Sequence, residues 1–70
     1  MKSTVGPSQI QHYNNMMTQA CSCERQKQWD HAGKMWRECE RMAQDNFWRW
    51  KEIWCAKRAE FCENAVRRGW

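Results

Sequence analysis

The sequence has few of the residues that break or staple a chain. It holds one Pro (Pro7) and three Gly (Gly6, Gly33, Gly69) in 70 residues. No Gly-rich loop is present to cradle a phosphate. No apolar run approaches the roughly 20 residues needed to span a bilayer. The first residues, Met1-Lys2-Ser3-Thr4-Val5-Gly6-Pro7, lack the apolar core of an export signal, so a cytoplasmic protein is expected. Charge of one sign is also missing. Acidic and basic residues interleave from Glu24 to Glu63 around a net charge of +4, the pattern of solvated helix faces rather than of a nucleic-acid patch.

The sites that support chemistry are missing too. Cys21 and Cys23 are too close in sequence for a zinc knuckle. Cys55 and Cys62 stand two turns apart on one helix face, and His12 and His31 have no partner at ligand spacing. No paired carboxylates occur, and pairing Cys21 with His31 finds no third group to orient it. Neither enzyme nor metal or cofactor site is expected. The five Cys are odd in number and mostly fall on apolar stripes, which suits small buried thiols better than disulfides.

Aromatic residues are plentiful. There are six Trp, two Phe and one Tyr, and half of the Trp and both Phe fall between Asn46 and Arg67. That stretch reads as the longest helix. One stripe is Phe47, Trp50, Trp54, Phe61 and Ala65, and a second is Trp48, Cys55, Ala59, Cys62 and Val66. Asp45 or Asn46 is placed to cap its start. Arg67 and Arg68 suit the negative end of the dipole, and Gly69 the left-handed stop. A chain this short has too little mass to cover two apolar stripes. One is expected to face its own chain and the other a second chain.

Upstream, residues 1–8 read as a disordered tail with Ser8 as the first cap, and 9–70 as one helical domain. A first helix is expected from about Gln9 to Lys27, with Tyr13, Met16, Met17, Ala20 and Cys23 on its face. A second is expected from Trp29 or Asp30 to Gln44, with Trp29, Ala32, Trp36, Cys39 and Ala43. One continuous helix from Ser8 to Gln44 is the alternative, since no Gly or Pro marks the break. The fold class is therefore all-α with three helices. Ala20, Trp29, Ala32, Trp36 and Cys39 fit the small-large-small slots of a tetratricopeptide-like hairpin, closed by the long third helix and completed by dimerisation. Ala20, Trp29, Ala32 and Trp36 are the candidate structural core.

Six Trp exceed what one small core buries, and Trp and Arg are the residues of interface hot spots. A protein partner, a second copy or both are thus favoured over DNA or a membrane surface. The pattern Ala20-x3-Glu24, Trp29-x2-Ala32-x3-Trp36, Met42-Ala43, Asn46 and then Trp54-x3-Arg58-x2-Phe61-Cys62 resembles the ANR family, the AraC negative regulators of enteric bacteria and their phages, across about residues 12–66. It departs at Gln28, near a usual Gly, and at Cys39, where Ala is commoner. The resemblance implies a non-enzymatic cytoplasmic repressor that binds AraC-type virulence activators by protein–protein contact. It marks Trp54, Arg58, Phe61 and Cys62 as signature residues, to which the residue reading adds Trp50 as a contact. Arg58, a charge on an apolar stripe, is expected to snorkel beside the aromatics or to pair with a carboxylate such as Glu24. The alternative is a small DNA-binding regulator similar to the PerC-type activators.

Overall fold

The computed structural model describes residues 7–69. They form three α-helices, α1 (Pro7–Arg25), α2 (Trp29–Asp45) and α3 (Arg49–Arg68), with no strand among the described residues. None of these helices is long and apolar enough to cross a membrane. The expected disorder of residues 1–6 lies outside the described residues; Pro7 and Ser8 are helical. The helix starts at Pro7, so Ser8 sits within the first turn instead of capping it. A proline ring pre-sets φ for a first helical position, where its missing N–H is not needed.

The breaks are made without glycine. Lys27 and Phe47 adopt φ of 61° and 60°. At each, the same two backbone bonds close the helix end. Gln28 N–H reaches Cys23 O at 2.8 Å and Lys27 N–H reaches Glu24 O at 2.9 Å; Trp48 N–H reaches Ala43 O at 2.8 Å and Phe47 N–H reaches Gln44 O at 3.2 Å. These are two Schellman motifs with a bulky residue in the left-handed position. They rule out the single helix from Ser8 to Gln44. They also correct the start of the third helix. Asn46 finishes α2, its side-chain amide donating to Met42 O at 2.9 Å, and the helix resumes only at Arg49, with Phe47 in the turn. Gly69 makes the expected left-handed stop of α3 at φ 75°.

There is no Leu in the chain, and the core is built of small residues around aromatics. Ala20 from α1, Ala32, Trp36, Cys39 and Ala43 from α2, and Cys55, Ala59, Cys62 and Ala65 from α3 are fully buried, with Tyr13 nearly so. Small side chains let the helix axes approach, and Trp36 fills the space they leave. Gly33 was not singled out by periodicity, yet it is buried on α2 against Cys62 of α3. α2 is central, with α1 and α3 each packing chiefly on it.

The stripes of α3 divide as a short chain requires. The Trp48, Cys55, Ala59 and Cys62 stripe faces inward, while Phe47, Trp50, Trp54 and Phe61 stay open to solvent. The last turn inverts the expected order: Ala65 is buried and Val66 exposed.

Candidate functional site

Two layers make the site: a polar clamp inside, and an aromatic face outside. The clamp centres on Glu24, in the last turn of α1. Its side chain is 13% exposed and forms an ion pair with Arg58 of α3. One carboxylate oxygen accepts the indole N–H of Trp36 at 2.5 Å and the Cys62 thiol at 3.3 Å. One carboxylate thus joins all three helices. Burial pushes the Cys62 thiol up to about 12, helped by its bond to Glu24. It is a hydrogen-bond donor at neutral pH, not a nucleophile. Glu24 in turn keeps the Arg58 guanidinium more firmly charged.

Arg58 follows both of the expected courses. It pairs with Glu24, and its guanidinium carbon lies 5.2 Å from the centre of the Phe61 ring, a cation–π distance. Phe61 meets Trp29 edge-on at 5.6 Å, and Trp54 meets Trp36 edge-on at 5.0 Å. Edge-to-face contacts of this kind stabilise beyond simple area burial. Trp54 (46% exposed) and Phe61 (40%) are therefore anchored inward and open outward.

Of the residues marked for partner contact, Trp50 is the most open at 82%. Arg58 is half-buried, and Cys62 is fully buried beneath the face. Of the candidate core residues, Ala20, Ala32 and Trp36 are fully buried, and Trp29 is half-buried at the edge of the core. Phe47, the first member of the expected stripe, is 90% exposed and extends the face from the turn. Two contributors were not expected on this face. Tyr13 and Met17 of α1, read only as packing residues, form the far wall of a groove of about 440 Å³ with Asn14, Trp50, Lys51 and Trp54. Tyr13 also meets Trp48 edge-on at 5.5 Å, and Lys51 Nζ lies 5.9 Å from both rings. No spacing signal within α3 could have supplied residues from α1.

A second buried cluster lies behind the groove. The Tyr13 hydroxyl and Cys55 thiol are hydrogen-bonded at 3.1 Å. Burial, with that bond, pushes the Tyr13 phenol up. The hydrogen bond to Cys55, with burial, pushes the Cys39 thiol up. On the opposite side, Arg37 of α2 grips Glu63 of α3 through two bonds of 2.8 Å and Glu40 through one of 2.9 Å. The bidentate fork of Arg37 claims Glu63 across the helix interface and holds its carboxyl below the usual range.

No protein-family model matches the chain, and neither a curated protein nor a solved structure matches it.

Proposed function

We propose that this chain is a cytoplasmic, non-enzymatic negative regulator that binds AraC-type transcription activators through the open face of α3. The observation that carries this reading is the division of α3: one stripe is locked into the core, while Phe47, Trp50, Trp54 and Phe61 remain on the surface. Contiguous apolar surface of this kind on a small chain marks a protein-interaction site. The similarity of Trp54-x3-Arg58-x2-Phe61-Cys62 to the ANR signature supplies the class of partner. In this reading Trp50 and Trp54 are the contacts. Arg58 and Phe61 form their shoulder, and Cys62 positions Arg58 through their common partner Glu24. Before an activator arrives, a second copy is the occupant available to the same stripe, which makes a loose homodimer the resting form.

The reading is tested by titrating the chain with a purified AraC-type activator, and separately with that activator's promoter duplex, at low and high salt. Tight, salt-tolerant binding to the activator, weakened at least fivefold by Trp50→Ala, is expected of an aromatic hot spot. Binding to the duplex alone, falling steeply with salt as phosphate contacts do, would transfer the chain to the DNA-binding class.

A further inference from the structure

The groove between α1 and α3 has a charge pattern as well as an apolar lining. Its walls are Tyr13, Asn14 and Met17 on one side and Trp50, Lys51 and Trp54 on the other. On the α1 side, Gln9 to Cys23 contains neither Asp nor Glu. Glu24 is occupied by Arg58, Trp36 and Cys62. On α3, Glu52 and Glu63 turn toward α2, bonded to Gln44 and Arg37. Glu60 is exposed, but the helical period puts it on the edge of the stripe away from α1. Of the cations, Lys51 lines the groove, while Arg58, over Phe61 beside it, is paired with Glu24. Lys57 is exposed and falls by period between Trp54 and Phe61. The opening is thus apolar at its base and carries Lys51 and Lys57 on its rim, with Glu24, Glu52 and Glu63 turned to partners of their own.

We infer that this groove receives an amphipathic helix whose apolar stripe is flanked by carboxylates, and that such a helix is the element of the partner protein the chain captures. The inference rests on the protein-binding reading above and adds the chemistry of the bound segment. Apolar anchors spaced at three and four residues settle between Met17, Trp50 and Trp54. Carboxylates on its two flanks meet Lys51 on the α1 side and Lys57 on the other. From Trp50 to Phe61 the face is roughly 16 Å long at 1.5 Å per residue, so about three turns of helix cover it. A second copy is the poorer occupant, because two such faces set Lys51 and Lys57 against their own kind. Nucleic acid would satisfy the cations and stack on the indoles, but leaves Met17 and the Tyr13 wall without an apolar counterpart.

The test uses two helical peptides of identical apolar stripe, one flanked by Glu and one by Lys, with a single-stranded oligonucleotide as competitor. Binding is read by Trp emission of the full chain. The Glu peptide is expected to bind at least tenfold more tightly than the Lys peptide. Lys57→Glu, at an exposed position, is expected to erase most of that preference, and Lys51→Glu with Lys57→Glu to reverse it. Equal binding of both peptides, no saturation by either, or displacement of the Glu peptide by the oligonucleotide at lower concentration would each overturn the inference. So would sedimentation showing a tight dimer that excludes the peptide. Binding to an activator is measured independently. If the activator binds and the Glu peptide does not, the inference falls and the regulator reading stands; the reverse outcome removes the regulator reading alone.

Discussion

Trp36 donates its indole N–H to Glu24 at 2.5 Å, and the same carboxylate holds Arg58. A fully buried indole on α2 and a charged residue on α3 are thereby tied to the end of α1. Glu24→Ala would leave the buried Trp36 indole without its acceptor, while the Arg58 side chain, 37% exposed, recovers part of its loss from water. A loss of about 2 kcal/mol is expected, a large share of the stability of a domain this small. Glu24→Gln keeps an acceptor for Trp36 and is expected to lose about half as much. Arg37→Ala breaks pairs whose partners are roughly 40% exposed at both Arg37 and Glu63, and should lose no more than about 1 kcal/mol. Urea unfolding of the three variants gives the ranking.

Two backbone positions invite stabilisation. A Cβ on Gly33 would stand 3.5 Å from Cys62 Cβ and 3.7 Å from Glu63 Cγ, an ordinary contact distance. Gly33→Ala should therefore gain the helix propensity of Ala, about 0.5–1 kcal/mol. Lys27→Gly relieves a left-handed residue worth roughly 1–2 kcal/mol of strain against a smaller entropy loss. Both variants are expected to raise Tm, Gly33→Ala by about 4 °C, in thermal unfolding followed by circular dichroism. A drop in Tm for Gly33→Ala would mean that α2 and α3 cannot separate even slightly at that crossing.

The thiols should react in two groups. Cys21 and Cys23 are half-buried, while Cys39, Cys55 and Cys62 are buried. Iodoacetamide at mildly alkaline pH is expected to label the first two within minutes and the other three only in denaturant, as mass spectrometry of the intact chain would count. Rapid native labelling of Cys62 would show that the clamp opens on that timescale.

Stability should depend on pH at both ends. The Cys62 thiol rises from 9.0 to about 12 on folding, by burial first and then by its bond to Glu24. The folded state therefore holds this proton more tightly than the unfolded one. Its contribution is complete below about pH 9 and is lost as pH rises toward 12. Glu63 moves the other way, lowered from 4.5 by its bonds to Arg37. Its contribution is present above that value and is lost as pH falls below it. From these two groups the urea midpoint should decline below about pH 4.5 and again above about pH 9. Cys62→Ala should lessen the alkaline decline, to which the raised Cys39 thiol and Tyr13 phenol also contribute, and Glu63→Gln should lessen the acid one.

Surface and core tryptophans should separate cleanly. Trp50→Ala removes an 82% exposed side chain and is expected to change stability by less than about 0.5 kcal/mol. Trp36→Ala empties a fully buried site and should lose about 3–5 kcal/mol. Unfolding curves of the two variants decide this before any partner is tested.

Much of the fold was legible in the sequence because the apolar periods are strong. The inward residues Ala20, Ala32, Trp36, Cys39, Cys55, Ala59 and Cys62 all lie on the stripes that spacing picks out, and the Glu24–Arg58 pair was an expected alternative. What spacing does not encode is where a turn falls when no glycine marks it. Lys27 and Phe47 take left-handed backbone because packing on either side demands it, so the third helix reads three residues too long at its start. The groove was hidden for a different reason. It is a product of two helices distant in sequence, and Tyr13 and Met17 carry the same apolar signal whether they face a core or an opening. The division of α3 into a covered and an open stripe could be expected from chain length, but which stripe was which depended on the Trp36 and Glu24 contacts.

Lys27, Phe47 and Gly69 fall at near-equal intervals, each in left-handed backbone. The chain is thus written in lengths of one helix and one stop, with the same hand at each stop. Such a scheme has no built-in last member. A designer could continue it beyond Gly69 with another helix of similar length, carrying its own small-residue stripe. The molecule would grow by one unit without a new kind of joint.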